Sequence, residues 1–139
     1  MSKKPEILAP AGNFEKLMAA VHFGADAVYF AGKKMGLRAF AGNFEDEEIL
    51  RAMEYLHARG KKGYVTLNIV ANDSDFEGID EYLSLLEKAK VDGVIVSDLG
   101  LIHYIRKNFP SIDVHVSTQA NVNNSQSAQV YVDMGCTRI

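Results

Sequence analysis

Two stretches decide the fold: Tyr64-Val65-Thr66-Leu67-Asn68-Ile69 and Ile112-Asp113-Val114-His115-Val116-Ser117-Thr118. Successive side chains of a strand point to opposite faces, so Val65, Leu67 and Ile69 share one face of the first while Tyr64, Thr66 and Asn68 share the other. In the second, Ile112, Val114 and Val116 oppose Asp113, His115 and Ser117. Central strands of a doubly wound parallel sheet carry helices on both faces and are apolar throughout. These two have one apolar face for helices and one that turns polar towards its C-terminal end, which suits the inside and mouth of a β/α barrel. The expected fold is therefore α/β, a partial TIM-barrel-like (β/α) array, with an open doubly wound parallel sheet as the alternative.

Outward from these strands, short β-branched or aromatic runs alternate with segments whose apolar residues recur at helical spacing, the mark of βαβ units. Strands are expected at Glu6–Ala9, Ala27–Ala31, Tyr64–Ile69, Val94–Ser97 and Ile112–Thr118, with a sixth beginning at Cys136. The helical stripes are Phe14, Leu17, Met18, Val21; Ile49, Met53, Leu56; Ile79, Tyr82, Leu83, Leu86; Ile102, Ile105, Phe109; and Ala128, Tyr131, Val132. Gly24, Gly60 and Gly135 mark helix stops. Asn13, Ser74 with Glu77 three residues on, and Asn124 or Ser125 mark starts. An eight-stranded barrel spends roughly 31 residues per unit, so 139 residues supply about four and a half. The expectation is one domain over residues 1–139, the N-terminal part of a longer barrel, whose open edges and uncovered inner face favour self-association.

Composition narrows the function classes. The chain has 47% hydrophobic and 24% charged residues, the balance of a globular domain rather than a disordered one. One cysteine, Cys136, precludes a disulfide framework or a multi-cysteine metal site built from this chain alone, so no metal or cofactor is expected in it. No apolar run approaches the roughly 20 residues of a membrane span, and the N-terminus is no signal peptide. The expected location is the cytoplasm, with no membrane partner. Fifteen basic and eighteen acidic side chains give a net charge of −3, so any contact with nucleic acid must be local.

Ligands of parallel α/β proteins bind at the C-terminal ends of the strands, which directs attention to the loops that follow them. Ala9-Pro10-Ala11-Gly12-Asn13 reads first as a tight turn and second as an anion site. The loop Gly32–Asn43 carries Lys33, Lys34 and Arg38. Arg38, flanked by Leu37 and Phe40, suits bidentate contact with a carboxylate or phosphate, so Lys33 and Arg38 are the anion-binding candidates. Asn68, Gln119 and Asn121 offer neutral hydrogen bonding to a polar ligand such as a base or sugar. Asp98 reads first as a helix N-cap and second as an active-site carboxylate. His115 reads as a core histidine before a lumenal one. Glu45-Asp46-Glu47-Glu48 reads as a helix first turn favoured by the macrodipole. There is no H-E-x-x-H, no G-x-S-x-G and no dinucleotide fingerprint.

Six ordered segments carry a resemblance: Leu8-Ala9-Pro10-Ala11-Gly12-Asn13, Gly24-Ala25-Asp26-Ala27-Val28-Tyr29, Leu37-Arg38-Ala39-Phe40, Val65-Thr66-Leu67-Asn68, Val96-Ser97-Asp98 and His115-Val116-Ser117-Thr118-Gln119-Ala120-Asn121. Together the chain resembles the N-terminal half of the collagenase-like peptidase family, peptidase family U32. The resemblance implies a barrel-like N-terminal domain. It also implies one of several activities: collagenolysis, or oxygen-independent hydroxylation of tRNA wobble uridine, ribosomal RNA or a ubiquinone precursor. Hydroxylating members hold an iron–sulfur cluster on later cysteines, and RNA-modifying ones depend on prephenate. Leu99 replaces a proline common in the family, and Cys136 matches no cluster ligand. The resemblance thus implies a parent that supports tRNA hydroxylation, binding tRNA or a small anionic ligand, with an iron–sulfur cluster possible beyond these residues. A peptidase is the rival reading, and a non-catalytic binding or assembly module the third.

Overall fold

The computed structural model describes residues 4–36 and 42–139. The first helix shows how local chemistry sets the elements. Pro10 closes β1 (Leu8–Pro10), and Asn13, in extended conformation, turns its side-chain oxygen to the Lys16 N–H at 2.8 Å, so α1 (Phe14–His22) starts at the next residue. The helix stops at Gly24, whose φ of 100° reverses the chain into β2 (Ala27–Phe30). The same cycle gives α2 (Asp46–His57), β3 (Lys62–Leu67), α3 (Ile79–Ala89), β4 (Gly93–Val96), α4 (Leu99–Asn108), β5 (Val114–Val116) and α5 (Ser125–Asp133). Short 3₁₀ turns occupy Asp73–Phe76 and Thr118–Ala120.

The five strands pair in the order β1-β2-β3-β4-β5, every neighbour parallel. A doubly wound sheet reverses its order at a switch point. The unbroken sequential order here is that of a β/α barrel, which excludes the doubly wound alternative. Past β5 a sixth strand begins where Arg138 bridges His115 in parallel, as expected from Cys136 onward.

The helices lie on one face. Val28, Phe30, Val65, Leu67, Val94, Val96 and Val114 pack in one cluster with Ile49, Met53, Leu83, Leu86, Leu101 and Ile105 of the helices. Gly63 permits this in β3, because a Cβ there would stand 2.4 Å from Met53 Sδ and 2.8 Å from Leu56 Cδ1. The opposite face carries Ala27 and Tyr64, which are buried yet lie outside that cluster. It also carries Tyr29, Thr66, Ile95 and His115, joined by the strand register.

Two expectations are corrected. The helix start assigned to Ser74 and Glu77 falls in the 3₁₀ turn instead, where the Asn72 N–H donates to Asp75 at 2.7 Å, and α3 begins five residues after Ser74, behind Gly78 in left-handed conformation. Three strands also shift by about two residues: β1 runs to Pro10, β3 starts at Lys62 and ends at Leu67, and β5 is confined to Val114–Val116. Neighbouring strands decide these limits, since Lys62 is fixed by its pairing with Ala27 rather than by its own side chain.

Candidate functional site

At the C-terminal ends of β1, β2 and β3 the loops enclose an open cleft of about 630 Å³. One wall is the β1–α1 turn, Pro10 to Asn13, followed by Lys16 in the first turn of α1. The turn is anchored to β2 by the Ala11 N–H donating to Tyr29 O at 3.0 Å. A second wall, beside the first, is Gly42 and Asn43, which precede α2. Gly42 has a φ of 52°, and a Cβ there would meet Gly12 O at 3.3 Å, so a glycine is what lets the two walls approach. Tyr29, Thr66 and Asn68 line the floor, and Gln119 reaches in from the turn after β5.

The structure places the sequence candidates unequally. Asn68 and Gln119 line this cleft together. Asp98 caps α4 by accepting the Leu101 N–H at 2.8 Å and holds the β3–α3 connection by accepting the Ala71 N–H at 3.3 Å. Asn121 ends the 3₁₀ turn with a φ of 56° and is not among the lining residues. Lys33 is ion-paired with Glu45, and Lys34 lies 3.9 Å from Asp46. Arg38 lies outside the described residues, together with Leu37 and Phe40. Lys16, Tyr29 and Thr66 were not singled out from the sequence as site residues. Thr66 shares the face of Asn68 in the alternation of β3, and that is the signal that could have found it; Lys16 sits one turn into a helix, beyond the loop that draws attention.

Beneath the floor the lumen is filled by a charged cluster. The Tyr64 hydroxyl donates to the Glu6 carboxylate at 3.1 Å, Arg138 Nη1 donates to the same group at 2.8 Å, and the guanidinium lies 5.2 Å from the Tyr64 ring. Burial alone would raise the pKa of Glu6, but the hydrogen bonds from Arg138 and Tyr64 bring it below the ordinary carboxylate value. His115 packs edge-on to Tyr64, ring centroids 4.7 Å apart, in space left by Gly93, where a Cβ would stand 3.0 Å from Nε2. Burial first, and Arg138 second, lower the His115 pKa. His115 is thus a lumenal residue as well as a buried one.

Cys136 does not fit an iron–sulfur cluster. It is buried in the layer between sheet and helices and is the one cysteine of the chain, with no second thiol to share a cluster. Among the described residues no group of three or more His, Cys, Asp or Glu side chains could hold a metal ion. None of their helices is long and apolar enough to cross a membrane.

Sequential parallel strands, helices on one face and a cleft at the strand ends define a barrel-type α/β protein. The chain belongs to peptidase family U32, whose model matches residues 12–139. It is 45% identical over 139 residues to tRNA hydroxylation protein P1 of Bacillus subtilis, covering 100% of this chain and 33% of that protein. It is 36% identical over 127 residues to a collagenase of Porphyromonas gingivalis, covering 91% of this chain and 30% of that protein. The chain thus spans about a third of the length of the curated relatives it matches. Among solved structures, the U32 peptidase Mk0906 superposes with a TM-score of 0.77 at 16% identity, over 98% of this chain and 57% of that one, which shows a shared fold.

Proposed function

We propose that this chain forms the first strands and part of the ligand cleft of a cytoplasmic protein that supports tRNA hydroxylation, with wobble uridine as the modified base. The observation that supports the reading is the 45% identity to a tRNA hydroxylation protein along all 139 residues. The cleft agrees with it in chemistry. Asn43, Thr66, Asn68, Gln119 and Tyr29 offer amide, hydroxyl and aromatic groups of the kind that hydrogen-bond and stack on a base or sugar. An iron–sulfur cluster, where the complete protein uses one, takes its ligands from outside these residues. Mass spectrometry of tRNA from a strain lacking the gene tests the proposal. Loss of the hydroxylated uridine supports it; unchanged tRNA together with collagen cleavage by the purified intact protein overturns it in favour of proteolysis.

A further inference from the structure

The charges around the cleft are unevenly distributed, and the unevenness identifies one residue. Its described lining contains a single ionisable cation, Lys16, and no carboxylate. The other lysines near the strand mouths are already engaged, Lys33 with Glu45 and Lys34 beside Asp46. Among the described residues Lys16 enters no ion pair; only its backbone N–H is held, by Asn13. The remaining polar groups of the lining are neutral. Among the described residues, a cationic ligand would meet Lys16 with no carboxylate in the lining to offset it, whereas an anionic group would find a countercharge there.

We propose that Lys16 is the charge anchor of the cleft, and that it holds an anionic group, a phosphate or a carboxylate, of a ligand whose neutral hydrogen-bonding body lies against the rest of the described lining. This rests on the ligand-binding reading above and deepens it. Lys16 stands on the β1–α1 wall, while Tyr29, Thr66 and Asn68 line the floor beside it. The anionic group therefore sits at the wall and the neutral body over the floor. The lysine is placed by the cap itself, because Asn13 fixes the first turn of α1 through the Lys16 amide.

Calorimetric titration of the intact protein with uridine 5′-monophosphate, orotate and uridine reads the assignment directly. The charged probe that the cleft takes should bind at least tenfold more tightly than uridine. Lys16→Met should abolish that preference, Lys16→Arg should keep most of it, and Lys33→Met should leave it unchanged. Whichever of the two charged probes shows the Lys16-dependent preference identifies phosphate or carboxylate as the source of the charge. Equal binding of all three probes, binding of none, a preference that survives Lys16→Met, or a preference lost in Lys33→Met each overturns the proposal. Circular dichroism of the Lys16→Met protein guards against a folding defect, which an exposed first-turn side chain is not expected to cause. The tRNA measurement is independent: hydroxylation that depends on the gene alongside a failed titration removes only the anchor, whereas unchanged tRNA removes the wider reading.

Discussion

The middle and the flanks of the sheet are built from the same kind of sequence and reach different ends. In the middle, α2 buries Ile49, Ala52, Met53 and Leu56, α3 buries Ile79, Tyr82, Leu83, Leu86 and Ala89, and α4 buries Leu101, Ile102 and Ile105. At the flanks, α1 buries Leu17 alone and α5 buries none. Yet all five carry an apolar stripe. Met18 of α1 is 38% exposed, and Val132 of α5 is 50% exposed. A stripe becomes core only where neighbours lie on both sides, so periodicity predicts which face turns inward and not how much water it sheds.

That contrast can be tested by truncating one residue from each region. Leu83→Ala empties a fully buried site between α3 and the sheet and should cost about 2–5 kcal/mol in urea unfolding, whereas Val132→Ala should stay within about 0.5 kcal/mol. Equal losses would show that the flank is as well packed as the middle. Helix caps should repeat the pattern on a smaller scale. Asp98 accepts two backbone N–H groups in partly buried surroundings, so Asp98→Ala should cost about 1–2 kcal/mol. Asn124 accepts one, from Ser127 at 2.9 Å in the open, and Asn124→Ala should cost about 0.5–1 kcal/mol.

The smallest effect concerns the two faces of the sheet, because among the described strand residues the titratable side chains lie on the lumenal one. Unfolded, His115 takes up a proton near its ordinary value of 6.5; folded, burial and Arg138 keep the proton off until a lower pH. Arg138 and Lys62 oppose the proton, while Asp113 and Glu6 favour it without reversing the shift. Between the two values the unfolded chain binds more protons, so stability is complete above about 6.5 and declines as pH falls through the folded value. Glu6, whose folded pKa is depressed, extends the loss to lower pH, as the chain loses the Arg138 pair. Urea midpoints at pH 7.5 and 5.5 should differ more for the natural protein than for His115→Gln; parallel shifts would place the titration elsewhere.

Much of the fold was legible because it is local. The caps at Asn13, Asp98 and Asn124 lie beside the helices they start, and the polar face of Tyr64, Thr66 and Asn68 follows from alternation within one strand. Local patterns also compete. Ser74 with Glu77 and Asn72 with Asp75 both have capping spacing, and the backbone uses the second for a 3₁₀ turn. The site was less legible because its decisive facts are pairings between separated residues. Lys33 loses its availability to Glu45, twelve positions away, and Glu6 meets Arg138 across 132 positions. No short pattern marks either pair, and no spacing rule announces that Gly42 packs against the Gly12 carbonyl.

The sequential strand order has a consequence for how the chain comes into being. Every strand pairs with the one made just before it, and each helix is synthesised between the two strands it bridges. A nascent chain leaving the ribosome N-terminus first can therefore lay each finished unit on a surface that already exists, without waiting for a distant partner. Closure entropy is met in instalments of one βα unit rather than in one long loop. The Glu6 and Arg138 contact is the exception, since it cannot form until 132 further residues have been made, after β1 to β5 have all been synthesised.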